Sequence, residues 1–369
     1  MDPTAPFLPG LQLCERFYHD AVAPILERHF PRLRYGAGRL GTGSDVLGFD
    51  TARSMDHDWG PQAELYLRDA DYSDDLAADI RRVMADDLPF EIAGYPTHVA
   101  TPEVHGGFLT ATSQRPISHK VHVSSARRFF GRYLGVDPLD AAGLSAAAWL
   151  AIPEQHLRTV TVGGVFRDDL GELARAREVL RWYPHDVWLY LLAAEWRRIE
   201  QEEPFMARCA DVGDELGSRV VAARLAREVM HLCFLMERQY APYSKWFGTA
   251  FSRLACAPRV GQVLNAALAA DDWHVRERHL STAYTLVAEM HNALEITESI
   301  PPHISAFYDR PYQVIHGDRF WQAIVTRITD QGVRDLPRLA GSTSQWVDST
   351  DVQIYTNWFP RLRALYENA

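Results

Sequence analysis

Apolar residues at Leu11, Cys14, Tyr18, Val22, Ile25 and Leu26 recur at the spacing of one buried helix face. Pro31, followed by Gly36 and Gly38, ends that predicted helix. Residues 63–67, AELYL, alternate and carry an aromatic ring, which predicts a strand. Residues 74–87 return to helical spacing, with Leu76, Ile80, Val83 and Met84 on the apolar side. Two more strands are predicted around EIAGY–THVA and KVHVSS, and the second runs straight into a helix, ARRFFGRYLG.

Past residue 140 the pattern changes. LGELARAREVLRWY, VWLYLLAAEWRRIEQEE, SRVVAARLAREVMHLCFLMERQY and VRERHLSTAYTLVAEMHNALEI all repeat near 3.6 residues, and PYQVIHGDRFWQAIVTRITDQ and NWFPRLRALYEN look alike. No strand is expected after about Val165. The fold class that follows is α+β: a mixed sheet with flanking helices over residues 1–140, then a mainly helical part over 141–369. No fixed-period repeat and no low-complexity linker interrupts it.

Composition narrows the picture. A chain of 369 residues, 47% hydrophobic and 23% charged, can bury a sizeable core. Its formal net charge of -10 offers no basic face for a nucleic-acid duplex and no polybasic membrane patch, though a local pocket for phosphates is compatible with it. Cys14, Cys209, Cys233 and Cys256 lack zinc-ligand spacing and are expected as reduced, mostly buried thiols. The first residues show no positive stretch followed by an apolar core, and no run approaches the ~18 apolar residues of a membrane helix. The expectation is a cytoplasmic protein that does not enter a membrane.

Several motif matches fail on context. GAGRLG (36–41) fits G-x-G-x-x-G, but no strand is predicted before it and another Gly-Ser turn follows. HGGF (105–108) has no accompanying G-x-S-x-G elbow. His119 and His122, three apart near a strand, face opposite sides and do not make a joint metal site.

The stretch GTGSDVLGFDTARSMDHDWG is different. On an extended strand Asp56 and Asp58 would point to one side and His57 to the other. Two converging carboxylates repel unless a cation lies between them, and a hard divalent ion such as Mg²⁺ (or Mn²⁺) sharing phosphate oxygens suits the pair. Upstream, Gly43 lets backbone come close to a phosphate, and the Ser44 hydroxyl can donate to it.

Gly43-Ser44 followed by Asp56-x-Asp58 resembles the nucleotidyltransferase superfamily of DNA polymerase beta and the antibiotic nucleotidyltransferases. Within it, GSDVLGFD, DHDWGP, GDELGS and YAPYSKWFG resemble an uncharacterised bacterial family of unknown function over most of the chain. The resemblance implies a small mixed sheet flanked by helices, often followed by a helical bundle. It implies Asp56 and Asp58 holding Mg²⁺ on an NTP, with ATP the expected one, and an acceptor hydroxyl attacking the α-phosphate with loss of pyrophosphate. The superfamily usually adds a third carboxylate on a neighbouring strand. Here His122 stands where it is expected; Glu64, Glu91 and Glu103 are the nearby carboxylates, and Glu103 or His122 is the expected base or third ligand.

The helical half offers further candidates. Lys245 suits β- and γ-phosphates, and Tyr240 and Tyr243 sit with it in a Pro- and Gly-bounded aromatic turn. Arg224, near Arg208 and Arg227, could clamp phosphate, although internal ion pairs are the commoner use of such residues. The resemblance likewise places basic and tyrosine phosphate contacts in C-terminal helices. The expected function is an Mg²⁺-dependent nucleotidyltransferase acting on a small-molecule or protein acceptor rather than long nucleic acid. The alternatives are a nucleotide-binding regulatory protein without the chemistry, and a toxin or resistance component.

Overall fold

The structure is a computed structural model that describes residues 7–55, 58–100, 107–336 and 340–367. The chain divides into two compact units, Met1–Leu144 with His156–Arg181, and Ser145–Gln155 with Trp182–Ala369. The whole is of mixed α+β class, with its main sheet in the first unit and helices dominating the second.

In the first unit, α1 (Gly10–Phe17) and α2 (Ala23–His29) are joined by a π-helical turn, Tyr18–Val22, so the predicted helix forms with one wide turn inside it. Four strands make the sheet: β1 (Tyr35–Arg39), β2 (Gln62–Leu67), β3 (Lys120–Ser125) and β4 (Gly164–Asp168), in the order β3-β2-β1-β4. β3 lies parallel to β2, with Glu64 beside His122, while β1 is antiparallel to both β2 and β4. Two more helices flank it, α3 (Asp74–Asp87) and α4 (Ala126–Leu134).

Strand alternation decides what each face does. Ala63, Leu65 and Leu67 of β2 and Val121 and Val123 of β3 join a core with Phe17, Val22 and Leu26 of the first helices and Ile80 and Met84 of α3. The intervening positions, Gln62, Glu64, Tyr66, His122 and Ser124, are thereby left for a cavity.

β1 and β4 depart from the sequence reading. Gly36 and Gly38, which the sequence marks as the end of the first helix, lie inside β1, and that strand is buried along its whole length. Its glycines serve close packing: a Cβ on Gly38 would lie 2.6 Å from the Gly164 carbonyl oxygen of β4. The EIAGY–THVA stretch forms two-residue strands, Glu91–Ile92 with Tyr95–Pro96 and Val99–Ala100 with Phe108–Leu109, because Ala93 and Gly94 take positive φ and turn the chain back.

In the second unit the helical periods predicted from sequence appear as α5 (His185–Glu202), α6 (Glu215–Met236) and α7 (Trp273–Ala293). One segment differs: Arg310–Val314 is a strand paired with Ser305–Phe307, and only Asp318–Val325 is helical. Pro311 lacks the N–H a helix would use, His316 turns the chain at φ 58°, and Gly317 stands at the start of the helix. Among the described residues no helix is long and apolar enough to cross a membrane. The four cysteines are free thiols.

Candidate functional site

The first unit contains a cavity of about 780 Å³ on the polar face of the sheet. Gly41, Thr42 and Gly43 line it from the turn after β1, Asp58 from the turn ahead of β2, and His122 from β3. Because β1 runs against β2, the end of one and the start of the other share a sheet edge, which brings the two turns together.

The Gly43 turn is built on a buried charge cluster. Arg39, only 4% exposed, donates through Nε to Asp45 Oδ2 at 2.8 Å and through Nη2 to Asp45 Oδ1 at 3.1 Å. Its Nη1 donates to Glu64 Oε1 at 3.2 Å, and the Leu40 N–H donates to Glu64 Oε2 at 3.1 Å. One guanidinium serves two carboxylates, and Asp45 holds it bidentately. Burial therefore pushes the Glu64 carboxyl up to about 7, despite the pull of Arg39 and the Leu40 N–H. Gly43 has φ 154°, and a single helical turn, Ser44–Leu47, follows it.

Asp50, from the same motif, is structural. Its Oδ2 accepts from the Gly10 N–H at 2.7 Å and from the Trp59 indole at 3.0 Å, tying the start of α1 to the residue after Asp58. Cys14 lies beneath, donating to the Gly60 carbonyl at 3.4 Å, and burial pushes its thiol up to about 12, so it is not a nucleophile.

Asp58 corrects one expectation. It has φ 65° in a turn, not on a strand, so strand alternation does not set its direction. It is exposed and lines the cavity. Asp56 and Glu103 lie outside the described residues. Lys120, at the start of β3, is buried; its ammonium donates to the Trp59 carbonyl at 3.4 Å, and burial lowers its pKa against the opposing pull of Asp58.

His122 opens to the cavity, while His119 turns to the Arg81 carbonyl of α3 at 2.9 Å. Desolvation by the surrounding walls lowers the His122 pKa first, and the fields of Arg39, His119, Lys120 and Arg132 lower it further. These effects favour its neutral imidazole.

Other cavity residues went unremarked in the sequence. Arg81 comes from α3, and Arg128, Phe129, Arg132 and Tyr133 come from α4. Ser125 caps α4, accepting from the Arg128 N–H at 3.3 Å. The available signal was the pair of basic and the pair of aromatic positions four apart in ARRFFGRYL, straight after a strand.

Donor chemistry tests the metal expectation. Among the described residues no three His, Cys, Asp or Glu side chains group as metal ligands. Asp58, exposed to the cavity, offers an oxygen donor of the kind a hard divalent ion shares with phosphate and water, and Glu64 is already engaged by Arg39.

The candidates from the helical half belong to the second unit. Tyr240 is 4% exposed, with its ring 4.8 Å from Trp182 and 5.1 Å from Tyr183, so it is core. The buried Glu154 and Gln155 pin its loop, accepting from the Ala241 N–H at 2.7 Å and the Tyr243 N–H at 3.1 Å. Arg224 is ion-paired to Glu202 at 2.5 Å, and Arg227 to Glu228 at 3.3 Å and Asp348 at 3.2 Å, which is structural use rather than a phosphate clamp. Lys245 is exposed, 5.2 Å over the Trp246 ring. Tyr243 does line a cavity of about 470 Å³ with Arg227, His231 and Phe247, where burial pushes the His231 imidazole down to about 3.

Residues 149–247 match the family model "Domain of unknown function (DUF4037)". The matched segment includes GDELGS and all but the last residue of YAPYSKWFG, and it excludes the Gly43–Asp58 stretch. No curated protein matches the chain. Among solved structures the chain is similar to a nucleotidyltransferase-like protein from Exiguobacterium sibiricum, at 9% identity over 84% of this chain and 88% of that one, with a TM-score of 0.33. At that level of likeness, the cavity geometry carries the functional reading.

Proposed function

We propose that the protein is a divalent-metal-dependent nucleotidyltransferase that moves a nucleoside monophosphate from an NTP, ATP first, to a hydroxyl acceptor. The observation that carries this reading is the shared cavity: the Gly43 turn and Asp58 meet at one end of the sheet and line one space with His122. A glycine turn lets a polyphosphate come close to the backbone, and a carboxylate beside it suits a metal shared with that phosphate.

Asp56 and Asp58 would hold Mg²⁺, which when bound supplies charge neutralisation at the phosphates. Gly43 and Ser44 would meet the leaving phosphates through backbone N–H and hydroxyl. The acceptor oxygen forms its bond to the α-phosphorus as the bond to the bridging oxygen breaks, and pyrophosphate leaves. The neutral His122 is poised to take the hydroxyl proton at a ring nitrogen.

A second reading keeps the nucleotide and drops the chemistry. The β3 position beside Glu64 is His122, not a third carboxylate, and Glu64 itself is held by Arg39. Nucleotide binding without pyrophosphate release would favour a regulatory protein.

The test is a thermal-shift titration with ATP, GTP, CTP and UTP, each with and without Mg²⁺, on wild type and Asp58→Asn. Asparagine tolerates the positive φ at this position, so the variant removes charge without backbone strain. The expected result is a Mg²⁺-dependent shift for at least one NTP that disappears in Asp58→Asn. No shift with any NTP overturns the proposal.

A further inference from the structure

β3 is the outer strand of the sheet, and guanidinium groups flank it from both neighbouring helices. Arg128 and Arg132 stand four apart on α4, so they share one helix face, and Arg81 approaches from α3. The face is held firmly. Phe129 and Tyr133 on the adjoining stripe stack at 5.6 Å with their planes 7° apart. Phe129 also packs edge-on against Tyr66 at 5.2 Å, and the Tyr133 hydroxyl lies 2.6 Å from that of Thr159. Arg128 lies 4.4 Å over the Tyr72 ring, which fixes its guanidinium.

Some arginines of this unit are matched with carboxylates: Arg39 with Asp45, Arg82 with Asp79, Arg127 with Asp137 at 3.2 Å and Arg167 with Asp169. Among the described residues, Arg81, Arg128 and Arg132 have no carboxylate within ion-pair distance. All three are exposed, and in a chain of net charge -10 three unpaired cations on one cavity wall are open to an anion from outside.

Position says which anion. The Gly43 turn extends β1, and β3 lies two strands away across β2, roughly 10 Å at ordinary strand spacing. In phosphoryl transfer the attacking oxygen enters opposite the leaving group. We propose that Arg81, Arg128 and Arg132 form a phosphate subsite separate from the donor's phosphates, and that it takes a phosphate carried by the acceptor. The assignment to the acceptor rests on the transfer reading above; the subsite itself does not. The acceptor is then a phosphorylated hydroxyl compound, its phosphate on the α3–α4 wall and its free hydroxyl toward Asp58.

Calorimetric titration of the full chain with inorganic phosphate in the absence of divalent metal tests this. Wild type is expected to bind, Arg128→Gln/Arg132→Gln to bind at least tenfold more weakly, and Arg128→Lys/Arg132→Lys to recover part of the loss. An unchanged thermal midpoint establishes that the variants fold. Phosphate affinity is expected to persist with Mg²⁺ and a non-hydrolysable NTP analogue bound, and the nucleotide-induced shift to survive in the glutamine variant. No binding to wild type, or wild-type binding by the glutamine variant, overturns the subsite. Loss of phosphate binding once nucleotide is present, together with loss of the nucleotide shift in the glutamine variant, overturns the separation and makes these arginines donor contacts. If no nucleotide shifts the wild type while phosphate still binds through the arginines, the transfer reading fails and the anion subsite stands.

Discussion

At the scale of single residues, the site is set by how few conformations its turn allows. Gly43 has φ 154° with ψ 142°, a region essentially closed to residues with a side chain. An added Cβ would lie 2.0 Å from Asp45 Oδ1 and 2.5 Å from Arg39 Nη2. Gly43→Ala must therefore strain the backbone and displace the ion pair that shapes the turn. A loss of about 1–3 kcal/mol is expected from the backbone alone. That lowers the melting temperature by roughly 2–12 °C for a protein of this size class. The metal-dependent nucleotide shift should fall with it; a variant with wild-type melting and wild-type shift would contradict this account of the turn.

Glu64 makes the same cluster pH-sensitive. Its folded pKa, about 7, lies above the ordinary value of 4.5, so the folded protein keeps the proton longer than the unfolded chain does. Ionisation then favours unfolding, and the Glu64 contribution to stability falls as pH rises from 4.5 to 7. A glutamine there cannot ionise, and because its one oxygen replaces two that accept separately from Arg39 and the Leu40 N–H, it gives up one of those bonds at every pH. Glu64→Gln should gain on wild type across that window by up to about 3 kcal/mol. Urea denaturation of both proteins at several pH values measures the difference, and parallel stability curves would refute it.

Elements carry the next level. The helical periods were readable because burial on one face repeats along the chain, and 74–87 emerges as α3 with the predicted bounds. β2 and β3 were readable from alternation. β1 was hidden because its glycines serve contact with β4, and that contact lies more than a hundred residues away in sequence. Glu64 was weighed in sequence as a candidate carboxylate, whereas Arg81, Arg128 and Arg132 were hidden for a related reason. Register alone places Glu64 beside His122, and only the packing of α3 and α4 on β3 gathers the arginines. Gly43, Asp58 and His122 could be singled out in sequence because local chemistry marks them. Tyr240 and Arg224 carried the right chemistry for phosphate or base, but a core and an ion pair use it instead.

The pairing of α5 with α6 in the second unit yields a prediction of its own. Glu195 and Glu228 are both buried, at 0% and 4% exposure. Arg198 holds Glu228 with two bonds of 3.0 Å, and Gln345 donates to Glu195. Burial, then the neighbouring Glu228, raises the Glu195 pKa, so Glu195 keeps its proton and donates it to Glu228. Burial works against charge on Glu228, but the Glu195 hydrogen bond and Arg198 hold it ionised. The two carboxyls are therefore not equivalent. Glu195→Gln replaces one neutral donor with another and should change stability by less than about 1 kcal/mol. Glu228→Gln leaves Arg198 without its counter-charge and should cost about 3 kcal/mol. Chemical denaturation at pH 7 ranks them; equal losses would mean that the proton is not held on Glu195.

For the whole molecule, charge bears on which acceptor the proposed transfer would use. Long nucleic acid is held through many phosphate contacts, each of which releases counterions, so binding falls steeply with salt. That needs a continuous basic track, whereas this chain carries 48 acidic and 38 basic residues and gathers unmatched guanidinium groups in one cavity. A cavity of about 780 Å³ holds a nucleotide and a small partner, not a strand that must continue past it. Three arginines can order one or two phosphates without overcoming the repulsion of a net charge of -10 for a longer polyanion. A labelled single-stranded oligonucleotide of about 20 nucleotides should therefore show no saturable change in fluorescence polarisation near physiological ionic strength, with or without Mg²⁺ and NTP. Mononucleotide binding should persist under the same conditions, weakening only modestly between low and physiological salt because few charges are neutralised. Saturable oligonucleotide binding with a steep salt slope would show that the acidic surface conceals a basic track. The acceptor would then be nucleic acid, and the small phosphorylated acceptor inferred from the α4 wall would give way to a backbone phosphate of that strand.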